Sequence, residues 1–126
     1  GAAQGLVSIA LRRMGEVFGT HPADVRAAIG AGIGQCCFET QSDVPEAMVK
    51  VLGGQAEEFI ASRGRSYYVD LKGVNKALLE RAGVRNVEVS RLCTCCREDL
   101  FWSYRRNGDK RGSQGALIQC RREAKV

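Results

Sequence analysis

Histidine occurs once in the 126 residues, at His21, and proline only twice, at Pro22 and Pro45. One histidine cannot build a histidine-rich copper or zinc centre from this chain alone. Two prolines are far too few for a polyproline or collagen-like chain. Long apolar runs are missing as well. The longest uncharged stretch, Ala27 to Phe38, is interrupted by Gly30, Gly32 and Gly34, and falls well short of the roughly 18 to 20 apolar residues of a membrane-spanning helix. No membrane partner is expected. The opening Gly1-Ala2-Ala3-Gln4-Gly5-Leu6 has neither an initiator Met nor the basic-then-apolar order of a signal peptide. The chain is therefore expected to begin inside a longer protein.

What is present is an ordinary globular composition, 44% hydrophobic and 26% charged, in a length that suits one core. The net charge of +5 is unevenly placed. Residues 1–100 hold 12 Lys and Arg against 12 Asp and Glu, whereas residues 101–126 hold 7 against 2. A solvated basic tail and an anion site both account for this excess. A nucleic-acid groove would need aromatics interleaved over a wider basic surface, and only Phe101, Trp102 and Tyr104 accompany these arginines. No nucleic-acid partner is expected.

Periodicity organises the chain into alternating helices and short strands. Leu6, Ile9, Ala10, Met14, Val17 and Phe18 recur at helical spacing, predicting a helix over about residues 3–18 closed by Gly19. Pro22 suits the start of a short helical turn. Ala27-Ala28-Ile29 reads as a buried strand entering a glycine-rich loop, and Cys36 to Glu39 as an extended run. Ser42 or Asp43 can cap a helix carrying Val44, Met48, Val49 and Leu52, and a shorter helix is expected over Ala56 to Ala61. Arg65 to Val69 has the aromatic and β-branched content of a strand. Asp70 then caps a helix through Leu71, Val74, Leu78 and Leu79 that Gly83 stops, and strands are expected over Val84 to Val89 and Gly115 to Cys120. This alternation predicts an α/β or α+β layered domain.

Six cysteines stand at 36, 37, 93, 95, 96 and 120. They are clustered amid helix and strand patterns, unlike the spread cysteines of a secreted disulfide scaffold, so reduced thiols and a cytoplasmic location are expected. Cys93-Thr94-Cys95-Cys96 contains one Cys-x-x-Cys, and a zinc site on it would need a second pair such as Cys36 and Cys37, or a histidine. In an extended chain adjacent side chains diverge, which argues against both ligating one ion, so no metal site is expected within the chain. Small buried thiols, or a nucleophilic or redox cysteine, are the other readings.

Three stretches together resemble one family. They are Ala27-Ala28-Ile29-Gly30-Ala31-Gly32-Ile33-Gly34-Gln35-Cys36-Cys37-Phe38-Glu39, then Tyr68-Val69-Asp70-Leu71 with Asn75, and finally Cys93-Thr94-Cys95-Cys96 running through Phe101-Trp102-Ser103-Tyr104-Arg105-Arg106. The chain is similar to the YfiH-like laccase-domain group, also described as multicopper polyphenol oxidases and purine nucleoside phosphorylases, which includes the peptidoglycan editing factor. The resemblance implies an α/β/α sandwich with mixed sheets, of which residues 1–126 are the C-terminal part. It also implies phosphorolysis of purine nucleosides such as adenosine or inosine, with adenosine deamination in some members. The family's zinc or copper is held by a His, a Cys and a second His in the N-terminal half, the last within a His-Ala-Gly-Trp-Arg-Gly stretch. Gly1 to Gly5 resembles the residues just after that stretch, so those ligands and the missing N-terminal half are expected upstream of residue 1.

On this resemblance Gly34, Gln35, Cys36, Arg105 and Arg106 are the candidates for binding substrate or phosphate, with Arg111 beside them. A loop that brings backbone N–H groups close to a phosphate or ribose cannot tolerate Cβ atoms, and the planar fork of an arginine matches two phosphate oxygens. Phe38, Trp102 and Tyr104 could face a purine ring. The chain departs from many relatives in having Ala31-Gly32 and Gln35 where they carry Pro-Cys and Pro. A non-catalytic anion-binding module and a copper-dependent polyphenol oxidase are the alternatives.

Overall fold

A computed structural model describes residues 1–122. The N-terminal helix forms in two pieces, because Gly5 adopts a φ of 63° between a 3-10 turn over Ala2–Gln4 and helix α1 (Leu6–Phe18). That left-handed backbone disfavours a Cβ. Helix α1 turns Val7 and Leu11 inward, against Leu79 and Val84. The expected stripe of Leu6, Ile9, Met14, Val17 and Phe18 instead faces outward, with Phe18 78% exposed. Periodicity identified the helix, and Val7 and Leu11, outside that stripe, make its packing contacts. The described residues supply packing partners for Val7 and Leu11 only.

Strand β1 (Arg26–Ile29) follows a 3-10 turn opened by Pro22, and it pairs in parallel with the last strand among the described residues. Next come β2 (Glu39–Thr40), helix α2 (Asp43–Leu52), β3 (Ile60–Arg63), β4 (Ser66–Val69), helix α3 (Leu71–Arg81) and β5 (Asn86–Val89). The parallel register runs from Arg26 opposite Asn86 to Ile29 opposite Val89. A second sheet is antiparallel in the order β2-β4-β3, with Glu39 opposite Tyr68 and Ile60 opposite Val69. The fold is thus mixed α/β, with one parallel and one antiparallel sheet.

Two expectations around the second sheet are corrected. The segment expected to be helical at Ala56–Ala61 is a 3-10 stretch over Gly53–Phe59 followed by β3. Pairing of Ile60 and Ala61 with Val69 and Tyr68 outweighs a weak local helical preference. Gly64 makes this hairpin possible, taking a φ of 61° at the first position of a two-residue turn. Cys36 to Phe38, expected to be extended, form a turn in which the N–H groups of Cys37 and Phe38 both donate to Gly34 O, at 3.1 and 3.0 Å.

Helix α3 lies between two cores. Val74, Ala77 and Leu78 pack with Met48, Leu52, Ala56 and Val69, while Leu79 joins Leu11 and Val84. Each of the valine, leucine and methionine side chains among them contributes about 1.5–3 kcal/mol on burial. The expected cap is present, since the Asp70 carboxylate accepts from Gly73 N–H at 3.0 Å. Chain order then leads through the turns after β5 to helix α4 (Tyr104–Asn107). The strand expected over Gly115–Cys120 is absent, and residues 111–122 carry no regular element. A strand needs a neighbouring edge for its N–H and C=O groups. Among the described residues none lies beside it, and Leu117 and Ile118 are exposed.

Gly73 lies where α3 starts against the core. A Cβ there would stand 2.5 Å from both Asp70 Oδ2 and the Phe59 ring. Gly73→Ala is expected to lower stability by about 1–3 kcal/mol despite alanine's better helix propensity. Urea unfolding of the variant beside Lys76→Ala, on an exposed face of the same helix, checks this; equal midpoints would refute it.

Candidate functional site

The parallel pair delivers two loops to one place. Past β1 and β5 the pairing continues, with Ser90 N–H donating to Ile29 O (2.8 Å), a parallel bridge between Gly32 and Cys93, and Thr94 N–H donating to Gly32 O (3.1 Å). The glycine-rich loop and the Cys93–Cys96 loop therefore leave the carboxyl ends of adjacent parallel strands, where α/β sheets usually place their ligands. Further ties hold them. Gln35 Nε2 donates to Phe59 O and Tyr68 O (3.3 and 3.2 Å), and Lys72 Nζ donates to Ser90 O and Leu92 O (2.9 and 2.8 Å).

At this junction the thiols of Cys36, Cys37, Cys93 and Cys96 gather within 4.8 Å of one another. The expectation that Cys36 and Cys37 diverge is overturned, because it assumed an extended chain and the residues occupy a turn. Cys96 Sγ lies 3.4 Å from Cys37 Sγ and 3.5 Å from Cys36 Sγ. Cys93 is buried, whereas Cys36 and Cys96 are exposed, contrary to the reading of all these cysteines as core filler. Burial opposes ionisation of Cys93, yet the N–H groups of Gly34, Cys96 and Cys95 and the Cys36 thiol overcome it, lowering its pKa to about 6. Burial and the contact with Cys96 push Cys36 up, and the Cys96 contact followed by burial does the same to Cys37. Cys93 is thus shifted toward the thiolate, while Cys36 and Cys37 are shifted toward the thiol. This soft donor set could hold a metal ion.

The His/Cys/His metal set that the resemblance implies does not fit the described residues. His21, the chain's one histidine, lies in a separate surface hollow with Pro22, Glu80 and Arg85.

Beside the thiols lies an open cavity of about 530 Å³ whose lining includes Phe38, Thr94, Trp102, Tyr104, Arg105, Arg111 and Gln114. The Arg105 guanidinium lies 5.2 Å above the Phe38 ring and donates to Glu39 O (2.6 Å), while that of Arg111 lies 4.7 Å above the Tyr104 ring. An aromatic ring attracts the cation above it while leaving other N–H groups of the guanidinium able to donate to an anion; Arg111 NH1 also contacts Gly108 O (3.4 Å) and Asp109 (4.0 Å). Gly112 permits the close approach of the last wall, since a Cβ there would stand 2.5 Å from Trp102 Nε1.

The sequence candidates separate in this geometry. Arg105 and Arg106 stand on helix α4, one helical step of about 100° apart, so they point to different surroundings. Arg105 lines the cavity. Arg106 is turned inward, its NH1 donating to Thr94 O (2.9 Å) and Cys95 O (2.6 Å) and its NH2 to Phe101 O. Gln35 is likewise engaged with backbone carbonyls, and Gly34 and Cys36 belong to the thiol cluster rather than the cavity wall. Sequence reasoning missed the cavity contributions of Thr94 and Gln114. Gln114 Nε2 donates to Trp102 O (2.8 Å) from a segment with no periodic signal.

The fold and these loops define a laccase-domain protein. The family model for multi-copper polyphenol oxidoreductase laccase matches residues 1–121, and the chain belongs to that family. It is 35% identical over 105 residues to the purine nucleoside phosphorylase YlmD of Geobacillus stearothermophilus, covering 81% of this chain and 38% of the relative. A purine nucleoside phosphorylase of Deinococcus radiodurans is 37% identical over 100 residues, with 79% and 38% covered. The crystal structure of the hypothetical protein YfiH from Bacillus licheniformis superposes with a TM-score of 0.80 at 36% identity, over 84% of this chain and 41% of that one. The chain thus spans about two fifths of the length of these relatives.

Arg106 acts as a strut between the Cys93–Cys96 loop and α4. Arg106→Ala is expected to cost about 2–3 kcal/mol, because it leaves carbonyls without their charged donor, while Arg105→Ala at the exposed rim should cost less than about 1 kcal/mol. Denaturant midpoints of the two variants decide it; equal losses would refute the strut.

Proposed function

We propose that this chain is the C-terminal part of a purine nucleoside phosphorylase and that its cavity receives the nucleoside and phosphate. The observation that carries this reading is the pair of ring-stacked guanidiniums, Arg105 and Arg111, facing one cavity with aromatic walls. Phosphorolysis joins a phosphate oxygen to the ribose C1′ as the bond from C1′ to the purine nitrogen breaks, and the purine leaves with that electron pair. Two fixed cations would hold the phosphate dianion and orient it toward C1′. Phe38, Trp102 and Tyr104 offer faces and edges to a flat heterocycle. Adenosine and inosine are the substrates this reading favours, with adenosine deamination as a further activity.

The zinc or copper implied by the family belongs, on this reading, to a His/Cys/His set in the remaining part of the protein. That part would also cover the outward apolar face of α1 and pair with the segment over Gly115–Cys120, whose Leu117 and Ile118 are otherwise exposed. No described helix is long and apolar enough to cross a membrane. The free cysteines suit a reducing, cytoplasmic compartment.

Inosine phosphorolysis measured with the 126-residue chain, and with a longer protein joining it to the remaining part, tests this allocation. Turnover is expected from the longer protein only. In that protein Arg105→Ala and Arg111→Ala should each raise KM for phosphate about tenfold or more, the loss of one charge-assisted hydrogen bond. Turnover by the short chain alone overturns the division of roles. Phosphate binding without turnover in the longer protein would instead favour the anion-binding module.

A further inference from the structure

We propose that Cys36, Cys37, Cys93 and Cys96 form a four-thiolate site for one zinc ion, which clamps the glycine-rich loop to the loop after β5. The four sulfurs lie within 4.8 Å of one another, and Cys96 stands 3.4 and 3.5 Å from Cys37 and Cys36. Four sulfurs each about 2.3 Å from a central ion in tetrahedral array are about 3.8 Å apart. The longest separations need to close by only about 1 Å to meet that geometry, and side-chain rotation can supply it.

The backbone prepares this arrangement. Both loops fold into turns, with Cys37 and Phe38 N–H donating to Gly34 O and Arg97 N–H donating to Cys93 O (3.0 Å). A turn rotates neighbouring residues by less than the half-turn of a strand, so Cys36 and Cys37 both reach the same point. Gly34 is the close-packed wall. Its N–H donates to Cys93 Sγ at 3.2 Å, and a Cβ there would lie 3.1 Å from Cys36 Sγ and 3.3 Å from Cys93 Cβ.

A disulfide is the competing use of these cysteines. Disulfide chemistry pairs sulfurs two by two at about 2.0 Å, whereas Cys96 stands almost equidistant from Cys36 and Cys37. That is the placement of one vertex of a polyhedron. A tetrahedral set of four soft sulfurs takes zinc or an iron centre, and zinc needs no redox partner. Zinc binding forms four bonds to sulfur, and the thiol protons leave to solvent. The clamp would brace the cavity from both sides, because Phe38 follows Cys37 directly and Thr94 follows Cys93, and both line it. This role holds whatever ligand the cavity takes.

The test loads the protein, in the longer form and as the 126-residue chain, with Zn²⁺ or Co²⁺. Cobalt should give tetrahedral d–d bands and a sulfur-to-metal charge-transfer band of four-thiolate intensity, several times that of a His/Cys/His set with its single thiolate. Cys96→Ser should reduce that band and lower zinc content by about one ion per chain, while Cys120→Ser leaves both unchanged. In the unmutated protein, zinc should protect Cys36, Cys37, Cys93 and Cys96 but not Cys120 from alkylation, and EDTA should remove the protection. Equal labelling with and without zinc overturns the proposal. So does a tightly held iron, or a disulfide from Cys96 to Cys36 or Cys37 persisting in reduced, zinc-supplied protein.

Discussion

The parallel pairing of β1 with β5 is the constraint on which the rest of the structure depends. It joins segments far apart in the chain, so its closure entropy must be offset by packing. The cluster of Leu11, Leu79 and Val84, with Val25, Ala27, Ile29 and Val87 around it, provides that packing. Because the strands run in the same direction, both following loops leave from the same edge. The bridge between Gly32 and Cys93 carries the pairing into those loops and sets four sulfurs against each other.

From that junction the cavity is built by short reaches of chain. Phe38 enters from the glycine-rich loop, Thr94 from the loop after β5, and Arg105 from α4. Arg106 ties the second of these to the third through three backbone carbonyls. A lysine could not do the same, since its ammonium is a point charge without the planar fork. Adjacent arginines thus divide their work, one holding the wall and the other lining it.

Much of the fold was legible from residue pattern. Gly19, Asp70 and the spacing of Val74, Leu78 and Leu79 located helix boundaries and a buried face, because caps and helical periodicity are local properties. The inner face of α1 was not legible. Its apolar residues nearly encircle the helix, and only the position of α3 selects Val7 and Leu11. The hairpin of β3 and β4 was hidden for a related reason: Ile60 and Ala61 have little strand character until Val69 and Tyr68 lie opposite. Gly115–Cys120 shows the converse, a strand-like sequence with no edge to pair with among the described residues.

The sequence by itself determined the family, through motifs around Cys36-Cys37, Asp70-Leu71 and Cys93 to Arg106, and with them the chemical types available: thiols, arginines and aromatics. It also carried the excess positive charge to the C-terminal quarter, where Arg105 and Arg111 now line the cavity. Only the tertiary structure decided which of these side chains meet. Convergence of Cys36 and Cys37 with Cys93 and Cys96 requires a turn at Gly34 and a parallel register far away in sequence. Direction in space, unlike residue type, is set by backbone geometry summed over many residues, and neither spacing nor composition records that sum.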